Sequence, residues 1–152
     1  MAAKGYPAGQ LNWGARMTLS EAMAAQPAWL QIWLNILLLG AFALPLSLLI
    51  WKQTRLLAVT CLLAAGLGAF GVDAMYQQLG YVKLLGLPHV ILWTPLAIYL
   101  FVTWRKVTTP RAAKIIIAFI LTTILISLAF DYTDVIRYAL GERTPMALPA
   151  AE

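Results

Sequence analysis

The sequence predicts an all-α integral membrane protein, a four-transmembrane-helix bundle with a short N-terminal interfacial helix. Three observations lead there. Four long apolar stretches, at about 29–51, 56–78, 87–104 and 112–133, are each long enough to cross a hydrocarbon core of roughly 30 Å at about 1.5 Å per residue. Of the 152 residues, 62% are hydrophobic and only 11% charged, against about 25% charged in soluble domains. The link between the first two stretches and the link between the last two carry Lys52, Arg55, Arg105, Lys106, Arg111 and Lys114 and no acid, which is the positive-inside pattern repeated twice.

The elements follow in order. Residues 1–28 form a lead-in on the outer surface. Its first 17 residues mix Gly, Pro, Ala and Asn without a helical period and read as irregular. Thr18-Leu19-Ser20-Glu21 offers a capping box, so a short surface helix is expected to start there and to end at Pro27, where a new helix begins. Trp29 and Trp33 then lie at headgroup depth. Span 1 contains Pro45, which removes the donor for the Ala41 carbonyl and predicts a bend. Span 2 carries the run Ala64-Ala65-Gly66-Leu67-Gly68-Ala69, whose small residues let helix backbones approach closely. The outer link from Gln77 to Leu87 leads to Pro88 at the start of span 3, and Pro95 predicts a kink within it. After Gly141 the chain reads as a flexible tail, 141–152. All of this is one membrane domain, because what remains outside the spans is too short to fold separately.

Orientation follows from charge. Both basic links lie after odd-numbered spans, so both termini are expected outside, which for a bacterial inner membrane means the periplasmic side. Every acid (Glu21, Asp73, Asp131, Asp134, Glu142 and Glu152) falls on that side or at that end of a span. Six of the eleven Lys and Arg lie on the inner links and the other five face six acids, so the net charge of +5 is +6 there and −1 elsewhere. Such basicity orients the chain and calls for no nucleic acid. A cleavable signal peptide is not expected, since no continuous apolar core precedes Ala28. The lone Cys61 sits within a span and gives no disulfide.

Two patterns bear on chemistry. Asn35, Asp73, His89 and Asp131, one from each span, lie within about two turns of the outer boundary. An Asp deep in a helix is disfavoured by roughly 2.5–3.5 kcal/mol, less toward the interface, so the four define a candidate outward polar pocket for a proton, a cation or a small solute. The alternative is that these groups simply meet headgroup water. On span 4, Thr123, Ser127, Asp131, Asp134 and Tyr138 recur at steps of 4, 4, 3 and 4 on one helix face. Hydroxyls deep in the membrane and carboxylates at its mouth suit a cation path. Alternatively the hydroxyls bond back to their own helix, and Arg137, one turn past Asp134, neutralises it.

One His and one Cys far apart make neither a Cys/His zinc site nor bis-histidine haem ligation. Asp73, Asp131 and His89 leave a carboxylate metal site open on geometry alone. No cofactor motif is present, and catalysis would rest on an Asp and His pair alone. The leading expectation is an oligomeric ion or small-solute channel or transporter, with a path between subunits lined by span 4. A second is a non-catalytic accessory or assembly subunit of a larger membrane complex, docking through the small-residue face of span 2 and the surface helix. A third is a membrane ligand sensor or enzyme using Asp73 and His89. The lipid bilayer is a partner in all three.

Overall fold

A computed structural model describes residues 18–106 and 108–144; the lead-in 1–17 and most of the tail lie outside the described residues. Among those described there is no strand, and four helical segments of 23, 28, 23 and 29 residues are long and apolar enough to cross a membrane. Their outward surface is apolar, with Phe70 72% and Ile115 73% exposed, which suits lipid and not water.

The short helix α1 (Leu19–Ala24) begins at the capping box: the Glu21 N–H donates to Thr18 Oγ1 at 3.3 Å and the Thr18 N–H to Glu21 Oε2 at 2.7 Å. That backbone bond, more than the one from the Thr18 hydroxyl, holds the Glu21 carboxyl below its usual range. The first span starts as α2 (Ala28–Leu38), N-capped by Pro27, and then changes character. Residues Leu39–Ala43 form a π turn, in which the Leu44 N–H reaches back five residues to the Leu39 carbonyl; α3 (Leu44–Ser47) and a 3-10 turn (Leu48–Ile50) complete the span. Pro45 accounts for this. It has no N–H for the Ala41 carbonyl and its ring would press on that oxygen, and widening the preceding turn relieves the clash.

The second span is α4 (Arg55–Leu79), the third α5 (Leu87–Arg105) and the fourth α6 (Arg111–Ala139). α5 runs on through Pro95 as one helix, and α6 extends past residue 133 to carry Asp134 and Tyr138. Consecutive spans run antiparallel, giving the bundle a basic end at residues 52–55 and 105–114 and an acidic end where Asp131, Asp134 and Glu142 lie. The two basic turns are built alike. Thr54 Oγ1 donates to the Leu48 carbonyl at 2.7 Å and Thr109 Oγ1 to the Thr103 carbonyl at 2.8 Å, each hydroxyl buried and each closing a helix end from six residues on.

The shaft is packed solid around Leu48, Leu57, Leu100, Ile117 and Ile120. In a bilayer such packing works by close van der Waals fit, which small residues permit. The small-residue run of α4 is used for that inside the chain: Ala64, Ala65 and Gly68 are buried, with Gly68 against His89 and Trp93 and Gly71 against Pro88. Gly66 and Ala69 of the same run stay exposed. A second, smaller core closes the acidic end, where Ala22 of α1 is buried with Tyr76, Val82 and Leu85, and Tyr138 packs beside them. The surface helix is thus seated on the loop between α4 and α5. Gly80, at φ +72°, ends α4 and starts that loop.

Candidate functional site

The acidic end brings α5, α6 and the 3-10 turn Lys83–Gly86 together. Gly86 makes this possible, since a Cβ there would lie 2.7 Å from Asp131 Oδ1 and 3.0 Å from the Asp131 Cα. On α5, His89 stacks on Trp93 with ring centroids 4.3 Å apart. Gly68 of α4 leaves room for both rings; a Cβ there would come 2.9 Å from His89 Cδ2. The imidazole is thereby aimed across at α6, with Nδ1 3.6 Å from Asp131 Oδ2. That separation is too long for a hydrogen bond. Ser127 Oγ, one turn deeper, donates to the same oxygen at a long 3.4 Å.

Asp131 is consequently a carboxylate with little satisfied. Its side chain is 18% exposed and that of His89 19%, so both are largely but not wholly enclosed. A carboxylate offers about four acceptor positions. Among the described residues only these two long contacts engage it. Beneath the pair, Trp93 is 2% exposed and its Nε1–H has no partner among the described residues. It borders a small interior gap lined by Gly40, Ala41, Cys61, Ala65, Ile120 and Ile124 that leaves no room for a water molecule. An unpaired buried donor disfavours the folded state by about 1–3 kcal/mol.

Further out, Glu142 Oε2 receives Lys83 Nζ from the loop and Arg137 Nε at 2.9 Å from α6. Arg137 thus pairs directly with Glu142, while Asp134, one turn before it, has no ion-pair partner within 4 Å among the described residues. The start of the tail is pinned by this pairing. The hydrogen bond from Lys83, and then that from Arg137, hold the Glu142 carboxyl below its ordinary value of 4.5. A group lowered on folding strengthens the folded form above its unfolded value and loses that effect as the pH falls through its folded value. Amide exchange at residues 140–144 is therefore expected to be protected near neutrality and to lose protection in acid, judged against the intrinsic exchange rate at each pH. Glu142→Gln is expected to speed it up at neutral pH, and hydrogen-exchange mass spectrometry checks both.

The remaining sequence-predicted residues stand apart. Asn35 is exposed and its amide donates to the Gln31 carbonyl of its own helix at 2.9 Å. Asp73 accepts from Gln77, one turn on, at 2.7 Å and makes no ion pair with His89. Thr123 is buried and donates to the Phe119 carbonyl at 2.9 Å, packed against Gly40 of the π turn. Tyr138 is a packing residue with Arg143 over its ring. The structure thus joins His89, Ser127 and Asp131, with Asp134 at the mouth. Trp93, absent from the sequence-predicted set, belongs with them; its spacing of four from His89 on one helix was the available signal. No three His, Cys, Asp or Glu side chains among the described residues come together to hold a metal ion, so the Asp73, Asp131 and His89 metal site is not formed. No protein-family model, curated protein or solved structure matches the chain.

Proposed function

We propose that the protein passes protons, or a small solute coupled to them, across a membrane, and that the His89–Asp131 pair is the point of uptake. One observation supports this above the others: a mostly enclosed carboxylate at one end of the bundle holds an imidazole and a hydroxyl at 3.6 and 3.4 Å and has acceptor capacity to spare among the described residues. Intramembrane acids and histidines mark ion pathways, proton relays or ligand counter-ions, and an acid beside a histidine suits the relay. The unpaired acid at the mouth, Asp134, concentrates cations there. The packed interior below Trp93 admits no hydrated ion, which favours the proton over a metal cation. Thr123 and Ser127 face the interior of the single chain, so the proposed route runs through the bundle and needs no pore between subunits. The π turn beside Thr123 supplies a helix that can change its hydrogen-bond register to open the route.

By the positive-inside rule, the acidic end would face the periplasm of a bacterial inner membrane. The test is acidification of proteoliposomes under an imposed potential, read with an internal pH dye, for the unaltered chain and for Asp131→Asn. The accessory-subunit reading draws on a different feature, an apolar groove of about 330 Å³ between Trp29, Ile32, Trp33 and Ile36 of α2 and Ile126 and Phe130 of α6. It expects tight co-purification with a larger membrane partner and no proton flux from the isolated chain.

A further inference from the structure

We infer that the basic end of the bundle is a binding surface for the headgroups of anionic phospholipids. Lys52, Arg55, Arg105, Lys106 and Arg111 are exposed there and Lys114 is half-buried. Among the described residues no acid pairs with them, and no Asp or Glu occurs between Glu21 and Asp73 or between Asp73 and Asp131. The three ion pairs of the described residues all lie at the opposite end. α4 and α6 begin with these cations and with no acid in the first turn, so the positive end of each helix dipole adds to the charge where it is ordinarily offset.

The cations are also held in place. The buried Thr54 and Thr109 hydroxyls lock the two turns that carry them. Arg55 Nε is fixed on the Leu49 carbonyl at 2.9 Å, and the Arg105 guanidinium lies over the Phe101 ring, 5.7 Å from its centroid. Trp51 and Trp104 flank the two turns, indoles of the kind that mark the level of lipid headgroups. If the four helices cross a bilayer, the reading on which this inference rests, the phosphate layer of one leaflet surrounds this collar. Its complement is a negative phosphate attached to an acyl chain that lies along the apolar shaft. Juxtamembrane basic clusters of four to eight residues attract anionic lipid in this way.

The experiment uses the delipidated full chain in neutral detergent, equilibrated with equal amounts of phosphatidylglycerol and phosphatidylcholine bearing the same acyl chains. Bound lipid is counted by native mass spectrometry. An excess of phosphatidylglycerol on the order of fivefold is expected. It should be lost in Lys52→Gln/Lys106→Gln/Arg111→Gln/Lys114→Gln and kept in Lys83→Gln/Arg143→Gln. Should the fourfold variant fail to fold, salt decides on the unaltered chain, because at about 1 M the screening length falls to about 3 Å and the excess should collapse. Equal binding of the two lipids, or an excess that survives the fourfold substitution or high salt, would overturn the inference. Displacement of the bound lipid by excess glycerol phosphate would overturn it in favour of a free-phosphate site. Failure of the membrane reading shows itself separately, as a chain that stays monomeric and dissolved once detergent is removed.

Discussion

Proteoliposomes carrying Asp131→Asn are expected to lose proton entry by about 10²-fold or more, the scale on which a positioned proton-transfer side chain contributes. Asparagine keeps the shape of the side chain and removes the proton acceptor. The folded bundle should tolerate it, because the carboxylate takes part in only two long contacts, at 3.4 Å to Ser127 and 3.6 Å to His89. His89→Gln should reduce entry strongly for the same reason, as it removes the second proton-bearing group of the pair. Asp73→Asn is the informative control. That carboxylate is bound to Gln77 on its own helix and should be dispensable, as should Asn35, whose amide is turned back on α2. Entry that is unchanged in Asp131→Asn, in a protein that elutes as the unaltered chain does, sinks the proton reading.

The largest structural effect is expected at Gly86. An alanine Cβ there meets Asp131 Oδ1 at 2.7 Å, its Cβ at 2.9 Å and its backbone Cα at 3.0 Å. A side chain can swing away, but the α6 backbone cannot, so Gly86→Ala should push the loop off α6. Overpacking of this kind destabilises by about 1–3 kcal/mol. It should also widen the separation of His89 and Asp131, because His89 follows only three residues later. Gly66→Ala provides the contrast. Nothing lies within 4 Å of its Cβ position in the middle of α4, and alanine is favoured over glycine in a helix interior by about 0.5–1 kcal/mol. Thermal unfolding in detergent, followed by circular dichroism, should therefore move down for Gly86→Ala and stay or move up for Gly66→Ala.

How far the sequence discloses this molecule depends on which coordinate is asked of it. Depth along a span can be counted, because a helix rises evenly, so the four apolar segments and the level of His89 and Asp131 were legible. Direction around a helix was not. α4 is apolar on all sides, so its pattern gives no face, and Asp73 shares a level with His89 without pairing with it. α6 could be read further because its polar residues repeat at helical spacing, yet whether that stripe faced its own bundle or a neighbouring subunit needed the packing of Gly40 on Thr123. Pro45 announced a break in the first span, but a missing donor does not say whether the ladder kinks or widens. Pairings distant in sequence were the least legible. Lys83 and Glu142 are 59 residues apart, and Arg137, one turn past Asp134 on the helix, makes its ion pair with Glu142.

The central proposal is that the acid-bearing end of the bundle faces the outside and that, before the route opens, His89 and Asp131 are met from that side. Labelling tests it most directly. Replacing Cys61, the one cysteine of the chain, by alanine gives a background into which single cysteines are placed at positions 108, 123, 127 and 131. Intact cells are then exposed to a membrane-impermeant thiol reagent. The expected pattern is labelling at 131 and weaker labelling at 127, none at 123, and labelling at 108 only after the cells are opened. Labelling at 108 in intact cells, or a cysteine at 131 that is reached from neither side, would contradict it.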